Sequence, residues 1–231
     1  MLHLSLLHLP RARPRWRHLD PYQAHQLVWK AFPDVPRGER PFLFSLDERG
    51  AHQSLLVQST RPADWAFLGG GAAVQTKAFD PGRIPTGTPL RFFLRANPTV
   101  DRRGFGDGKQ RRVAVGINPE QAFRQMGRPE ETPSTPAEKA AWREGELREW
   151  LERQGRRGGF VVDRVEVGPI VARRIVRTEN GRPRGRPMTF HEVEFTGALR
   201  VVDGEAFAVT CGCGVGRGKA FGYGLLMVRP A

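Results

Sequence analysis

Leucines at alternate positions open the chain, with Leu2, Leu4 and Leu6 separated by His3 and Ser5. Period two is that of a half-buried strand, so these three leucines are expected on one inward face. The period then changes. Ala24, Leu27, Val28 and Ala31 recur at spacings of three and four, which is the apolar stripe of a helix. Asp20 suits its N-cap, Pro21 its first turn, and Gln23 can close a capping box, so the helix should run to about Phe32, ahead of Pro33. Phe42 to Asp47 and Ser54 to Ser59, joined through Glu48-Arg49-Gly50, predict a β-hairpin, and Pro89 to Ala96 predicts a further strand.

From Asp101 to Thr135 no period is sustained, and glycine, proline and charge dominate. This stretch is expected to be a partly mobile linker between domains. Beyond it the pattern predicts a helix from Pro136 to Gln154, capped by Thr135 and stopped by Gly155. Strands follow at Phe160 to Val167, Ile170 to Val176 and Met188 to Val202, then a short helix from Asp203 to Cys211 and a closing strand from Leu225 to Arg229. The repeated order predicts an α+β protein of two tandem ferredoxin-like (βαββαβ) domains, residues 1–100 and 136–231, around a 101–135 linker.

Charge narrows the class. Lys and Arg number 37 against 24 Asp and Glu, a formal charge of +13, so a polyanionic partner is expected: nucleic acid first, an anionic membrane surface second. The arginines cluster on a predicted ribbon instead of an amphipathic helix, which disfavours the membrane. No run approaches the ~20 apolar residues of a membrane span, and the start lacks a signal core, so a cytoplasmic protein is expected. Cys211 and Cys213, with no second pair, are too few for structural zinc and awkwardly spaced for a disulfide.

Three stretches can carry chemistry. On the Asp20 helix, Tyr22, His25 and Trp29 share the face opposite the apolar stripe, and Lys30 flanks them. An imidazole that takes the proton of an RNA 2′-hydroxyl lets that oxygen attack the adjacent phosphorus, giving a 2′,3′-cyclic phosphate and a 5′-hydroxyl; a nearby lysine offsets the developing charge. That route needs neither metal nor cofactor. The competing reading is a solvated or packing face on a non-catalytic RNA-binding module. His3, His8, His52 and His191 stand apart in pattern and read as structural, while His18, in a basic loop, is the reserve candidate. The second stretch holds Arg173, Arg174, Arg177, Arg182, Arg184 and Arg186 around an Asn180-Gly181 turn, the signature of a guanidinium-studded β-ribbon for phosphates and guanine edges. The third runs from Cys211 to Leu226. It matches neither a Walker A loop nor a dinucleotide fingerprint, and leaves Gly214, Gly216, Arg217, Gly218 and Lys219 as a flexible backbone that can offer amides and cations to a sugar-phosphate chain. A double-stranded DNA regulator would need a readout helix, and the mixed-charge helix from Pro136 is a poor one.

Taken in order, Asp20-Pro21-Tyr22-Gln23-Ala24-His25 through Lys30, Leu94-Arg95-Ala96-Asn97-Pro98, and Gly214-Val215-Gly216-Arg217-Gly218-Lys219-Ala220-Phe221-Gly222-Tyr223-Gly224-Leu225-Leu226 resemble the CasE-type endoribonucleases of type I-E CRISPR systems. The resemblance implies a tandem ferredoxin-like protein that binds the stem-loop of a CRISPR repeat transcript, cuts at the 3′ base of the stem without metal, keeps its product and joins a multi-subunit RNA-guided surveillance complex. It places the catalytic histidine at His25, with Tyr22 and Lys30 as helpers and the Arg173 to Arg186 ribbon against the stem. The long linker and the arginine-rich ribbon tip depart from the family pattern.

Overall fold

The computed structural model describes residues 1–12, 16, 19–36, 38–47, 52–102, 111–179 and 182–231. The Glu48-Arg49-Gly50 and Asn180-Gly181 turns and the reserve candidate His18 lie outside them. The first half comprises β1 (Leu2–Pro10), α1 (Pro21–Trp29), β2 (Phe42–Asp47), β3 (His52–Ser59), a 3-10 turn at Ala66–Gly71, and β4 (Ala73–Phe79). Its strands pair antiparallel in the order β2-β3-β1-β4, the split arrangement in which the third strand inserts between the two that flank the helix. Leu7, Leu9, Ala24, Val28, Phe44, Leu55 and Val57 fill the core beneath α1.

β1 turns the expected face around. Leu7 and Leu9, with Ser5, point into this core, while Leu4 and Leu6 are half-buried on the other side. The opposite face is not solvent. Leu6 shares a concavity with Phe93 and Met227 of the second half, and Leu2 is buried in the second half's core. A strand covered on both faces carries leucines on both, so alternation alone could not rank them.

β5 (Pro89–Ala96) starts the second sheet. A hairpin of β6 (Thr99–Arg102) and β7 (Arg111–Ala114) and the short α2 (Pro119–Gln125) follow, then α3 (Pro136–Arg157), β8 (Phe160–Val167), β9 (Val171–Glu179), β10 (Arg182–Val201), α4 (Gly204–Cys213) and β11 (Leu226–Pro230). The sheet order is β11-β5-β10-β8, all antiparallel, with β9 paired to the far end of β10. Counted from β5, this repeats the first sheet's order, and the fold is the tandem ferredoxin-like α+β architecture expected.

The border moves, however. β5 pairs with β10 and β11, setting Leu94 opposite both Phe195 and Leu226, so the change of sheet falls between Phe79 and Pro89 and not at residue 100. The segment taken as a linker is instead an insertion between the first strand and first helix of the second unit, and it carries β6, β7 and α2. Its elements are too short to show a period. α3 also outruns its expected stop. Gly155 lies inside the helix, where a Cβ would stand 2.6 Å from the Phe160 carbonyl oxygen, so this glycine serves close packing and not termination.

Trp150 stacks on Phe195 at 5.7 Å in the second core, with Leu94, Leu151, Phe160 and Phe207 around them. Cys211 is buried there and its thiol is pushed up to about 12 by desolvation; Cys213 is exposed, and both are free. Hydrogen bonds between described residues tie the halves together, among them Gln58 Nε2 donating to the Cys211 carbonyl and Arg95 Nη1 to that of Leu46 on β2. No helix among the described residues is long and apolar enough to cross a membrane.

Candidate active site and basic ribbon

The N-terminus of α1 is pinned twice. Asp20 accepts from the Gln23 amide at 2.8 Å and Gln23 Oε1 from the Asp20 amide at 3.1 Å, closing the expected capping box. Just upstream, the buried Gln53 side chain on β3 accepts from the Leu19 N–H at 3.3 Å and donates to the Leu19 carbonyl at 3.2 Å. The helix ends at Trp29, three residues earlier than expected, with the Lys30 N–H turning to the Leu27 carbonyl.

Ala24 and Val28 face inward as expected, but His25 and Trp29 do not face away. The His25 ring lies 5.5 Å from Phe42 and 6.2 Å from Phe44, and Trp29 lies 5.3 Å from Phe42. α1 overlies β2, so its packed surface is wider than the aliphatic stripe. Trp29 Nε1 donates to His25 Nε2 at 3.0 Å, which places the neutral imidazole's proton on Nδ1. Nδ1 is buried and has no hydrogen-bond partner among the described residues. Burial, and then the positive charge of Arg40, push the His25 pKa down to about 4, so the ring is uncharged at neutral pH.

Tyr22, His25 and Lys30 line one cleft of about 1130 Å³, whose far wall is Arg177 of β9 with Ala220 and Phe221. The cleft therefore gathers all three expected catalytic side chains and one ribbon arginine. No hydrogen bond joins Tyr22 or Lys30 to His25 among the described residues; the direct partner is Trp29, which spacing had grouped with His25 without assigning it a role. Arg40 is the residue the sequence did not reveal. It makes no ion pair among the described residues and its Nε is buried unpartnered, yet it faces His25 and also Lys219.

The ribbon is β9 paired with the distal half of β10, with a register shift between Arg184 and Met188. Its arginines are not equivalent. Arg173 is drawn into a cluster with Glu192 at 3.2 Å, beside Arg95, which binds Glu194 at 2.7 Å, so a counter-anion is already built in at that end. Arg174, Arg177 and Arg186 are exposed. Arg182 and Arg184 fall on β10, but their side chains lie outside the described residues.

The glycine-rich loop is seated and not loose. A 3-10 turn at Lys219–Phe221 packs against α1 and β2, and the amides of Gly214, Val215, Phe221 and Gly224 are all spent on protein carbonyls. Gly216, at φ +72°, leaves room for the Trp150 indole, which a Cβ would approach to 3.0 Å. Of the five residues expected to offer amides or cations to a ligand, Gly214 is thus withdrawn as an amide donor, while Arg217 stays exposed and Lys219 half-buried. Asn97, from the Leu94-Arg95-Ala96-Asn97-Pro98 segment, holds ribbon and loop together: its side chain accepts from the His191 N–H at 2.9 Å and its backbone bridges Arg217. No group of three His, Cys, Asp or Glu side chains converges among the described residues.

A family model for CRISPR associated proteins matches residues 2–230. The chain is 35% identical over 233 residues to the CRISPR-associated endoribonuclease Cse3 of Thermus thermophilus, covering 96% of each, and 30% identical over 237 residues to the Cascade subunit CasE of Escherichia coli, covering 99% of this chain and 100% of that one. It belongs to the CasE-type family of CRISPR-associated proteins. Within that family, the structure of Thermus thermophilus Cse3 bound to an RNA representing a pre-cleavage complex superposes with a TM-score of 0.69 at 32% identity, covering 99% of each chain. Another CasE-type structure, Cas6e from Escherichia coli, gives 0.61 at 27% identity over 99% of this chain and 100% of that one.

Proposed function

We propose that this chain is an endoribonuclease that binds the stem-loop of CRISPR repeat precursor RNA and cuts at the 3′ base of the stem. The 2′-hydroxyl is the nucleophile, the products carry a 2′,3′-cyclic phosphate and a 5′-hydroxyl, no metal takes part, and the hairpin product is retained. The observation that carries this reading is the neutral, desolvated His25 in a cleft walled by Lys30 and Arg177. Similarity to a protein named CRISPR-associated endoribonuclease, and to a Cse3 structure with RNA bound, supports it.

An uncharged imidazole is competent to take a proton, and a bound phosphate offsets Arg40 and raises its basicity toward the range that general catalysis needs. In the RNA-free arrangement Trp29 occupies the Nε2 lone pair, so the base exchanges that bond for the 2′-hydroxyl when RNA enters. Lys30 and Arg177 oppose charge developing on the phosphoryl oxygens, and the departing 5′-oxygen takes its proton from the Tyr22 phenol, which lines the same cleft, or from water. The exposed Arg174 and Arg186 serve the stem. The name of its Escherichia coli relative, CRISPR system Cascade subunit CasE, supports the reading that this chain too is a subunit of a CRISPR complex.

The aromatic nest around His25 favours one competing reading, a binding module in which the ring only packs. Purified protein in excess EDTA, given a labelled repeat hairpin and a copy with 2′-deoxy before the cut, separates the two. Cleavage of the all-ribose hairpin alone, lost in His25→Ala with affinity kept, is expected. Tight binding without cleavage by the unmodified protein would leave the binding module.

A further inference from the structure

The glycine-rich loop separates two concavities, of which the His25 cleft is one. On its other flank, β6, the last turns of α3 and the loop enclose a second of about 550 Å³. Arg153, Gln154 and Arg157 line it from α3, Arg217 and Lys219 from the loop, and Asp101 is its one carboxylate among the described residues. Arg153 is tied to Glu149, and Arg217 reaches Asp101 at 3.4 Å, an acid already shared with Arg112 at 3.1 Å. Arg157 and Lys219 have no ion pair among the described residues.

The floor of this pocket is Trp150, stacked on Phe195 and pressed by Gly216. Burial disfavours the charged form of Lys219, so an anion arriving there recovers interaction that the free protein lacks.

Resting on the function proposed above, we infer that this pocket holds the phosphodiesters of single-stranded RNA that continues from the base of the hairpin. The walls are concave and set with cations, which fits a flexible strand that can bend inward, whereas a duplex presents its phosphates on a convex surface that suits the exposed ribbon. Continuity with the cut is local. Lys219 lines this pocket and its neighbours Ala220 and Phe221 line the His25 cleft, so the two concavities adjoin across the loop and a strand leaving one can enter the other.

Two flanks offer the same chemistry: the retained strand upstream of the stem and the strand beyond the cut. Non-cleavable repeat hairpins with 2′-deoxy before the cut, made blunt, 5′-flanked and 3′-flanked, are titrated against the full chain and Arg153→Ala/Arg157→Ala over a range of salt. One flank is expected to tighten binding to the unmodified protein by roughly tenfold, and the variant to lose that gain along with about 1.4 of the salt slope, the share of two single-strand phosphates. Gain on the 5′ flank assigns the pocket to retained RNA; gain on the 3′ flank assigns it to the leaving fragment. A flank that adds nothing, or a variant that weakens the blunt hairpin as much as the flanked one, overturns the inference. Matching thermal unfolding curves establish that the variant is folded. The nuclease reading fails separately, if the all-ribose hairpin stays uncut while the flank gain persists.

Discussion

His25 was legible because positions three and four apart on a helix meet, and its neighbours Tyr22 and Lys30 came with it. Arg40 was not, because only the packing of α1 over β2 brings it beside the ring. Its effect can be read directly. Arg40→Ala removes a positive charge next to His25, so in RNA-free protein the imidazole midpoint, followed by NMR of its ring protons, should rise from about 4 toward the ordinary histidine value. A midpoint that stays put would remove Arg40 from the site. The same depressed pKa links to stability. The folded state resists protonation that the unfolded chain accepts near 6.5, so His25's contribution is full above that value and lost as pH falls from there to about 4. His25→Gln should flatten the fall in melting temperature over that window, measured by thermal unfolding at several pH values.

At the scale of elements, ends governed by local chemistry were legible and partners chosen by tertiary contact were not. The capping box of α1 was readable from Asp20 and Gln23; Asp20→Ala should cost about 1 kcal/mol in urea unfolding. β5 could not declare its sheet, since its alternation suits either half, and β1 could not declare its inward face, since both faces are covered. Asn97 shows how a motif can be recognised before its work is understood. The asparagine is buried, and it fastens the ribbon at His191 beside the loop at Arg217. Asn97→Ala strands the part-buried His191 N–H, and a loss of about 1 kcal/mol is expected in the same measurement, with weaker hairpin binding because ribbon and loop are no longer held in one frame.

Across the whole molecule, part of the excess positive charge behind the net +13 is placed where it can act together: the loop borders the ribbon's Arg177 on one side and the end of α3 on the other. Composition gave the sign of the partner's charge but not this distribution, in which Arg173, Arg174, Arg177 and Arg186 are all exposed but Arg173 is ion-paired with Glu192. Replacing those three with alanine should reduce the slope of log affinity against log salt by about 2 to 3 for hairpin binding; an unaltered slope would place the stem elsewhere. One consequence belongs to β10, whose 20 residues run from the middle of the second sheet out to the ribbon. Side chains alternate along a strand, so the ribbon behaves as a ruler graduated in pairs of residues. Lengthening β9 and β10 by two residues each would carry the tip outward by roughly 6 to 7 Å with every arginine on its present side, whereas a single added residue would turn those beyond it to the opposite face.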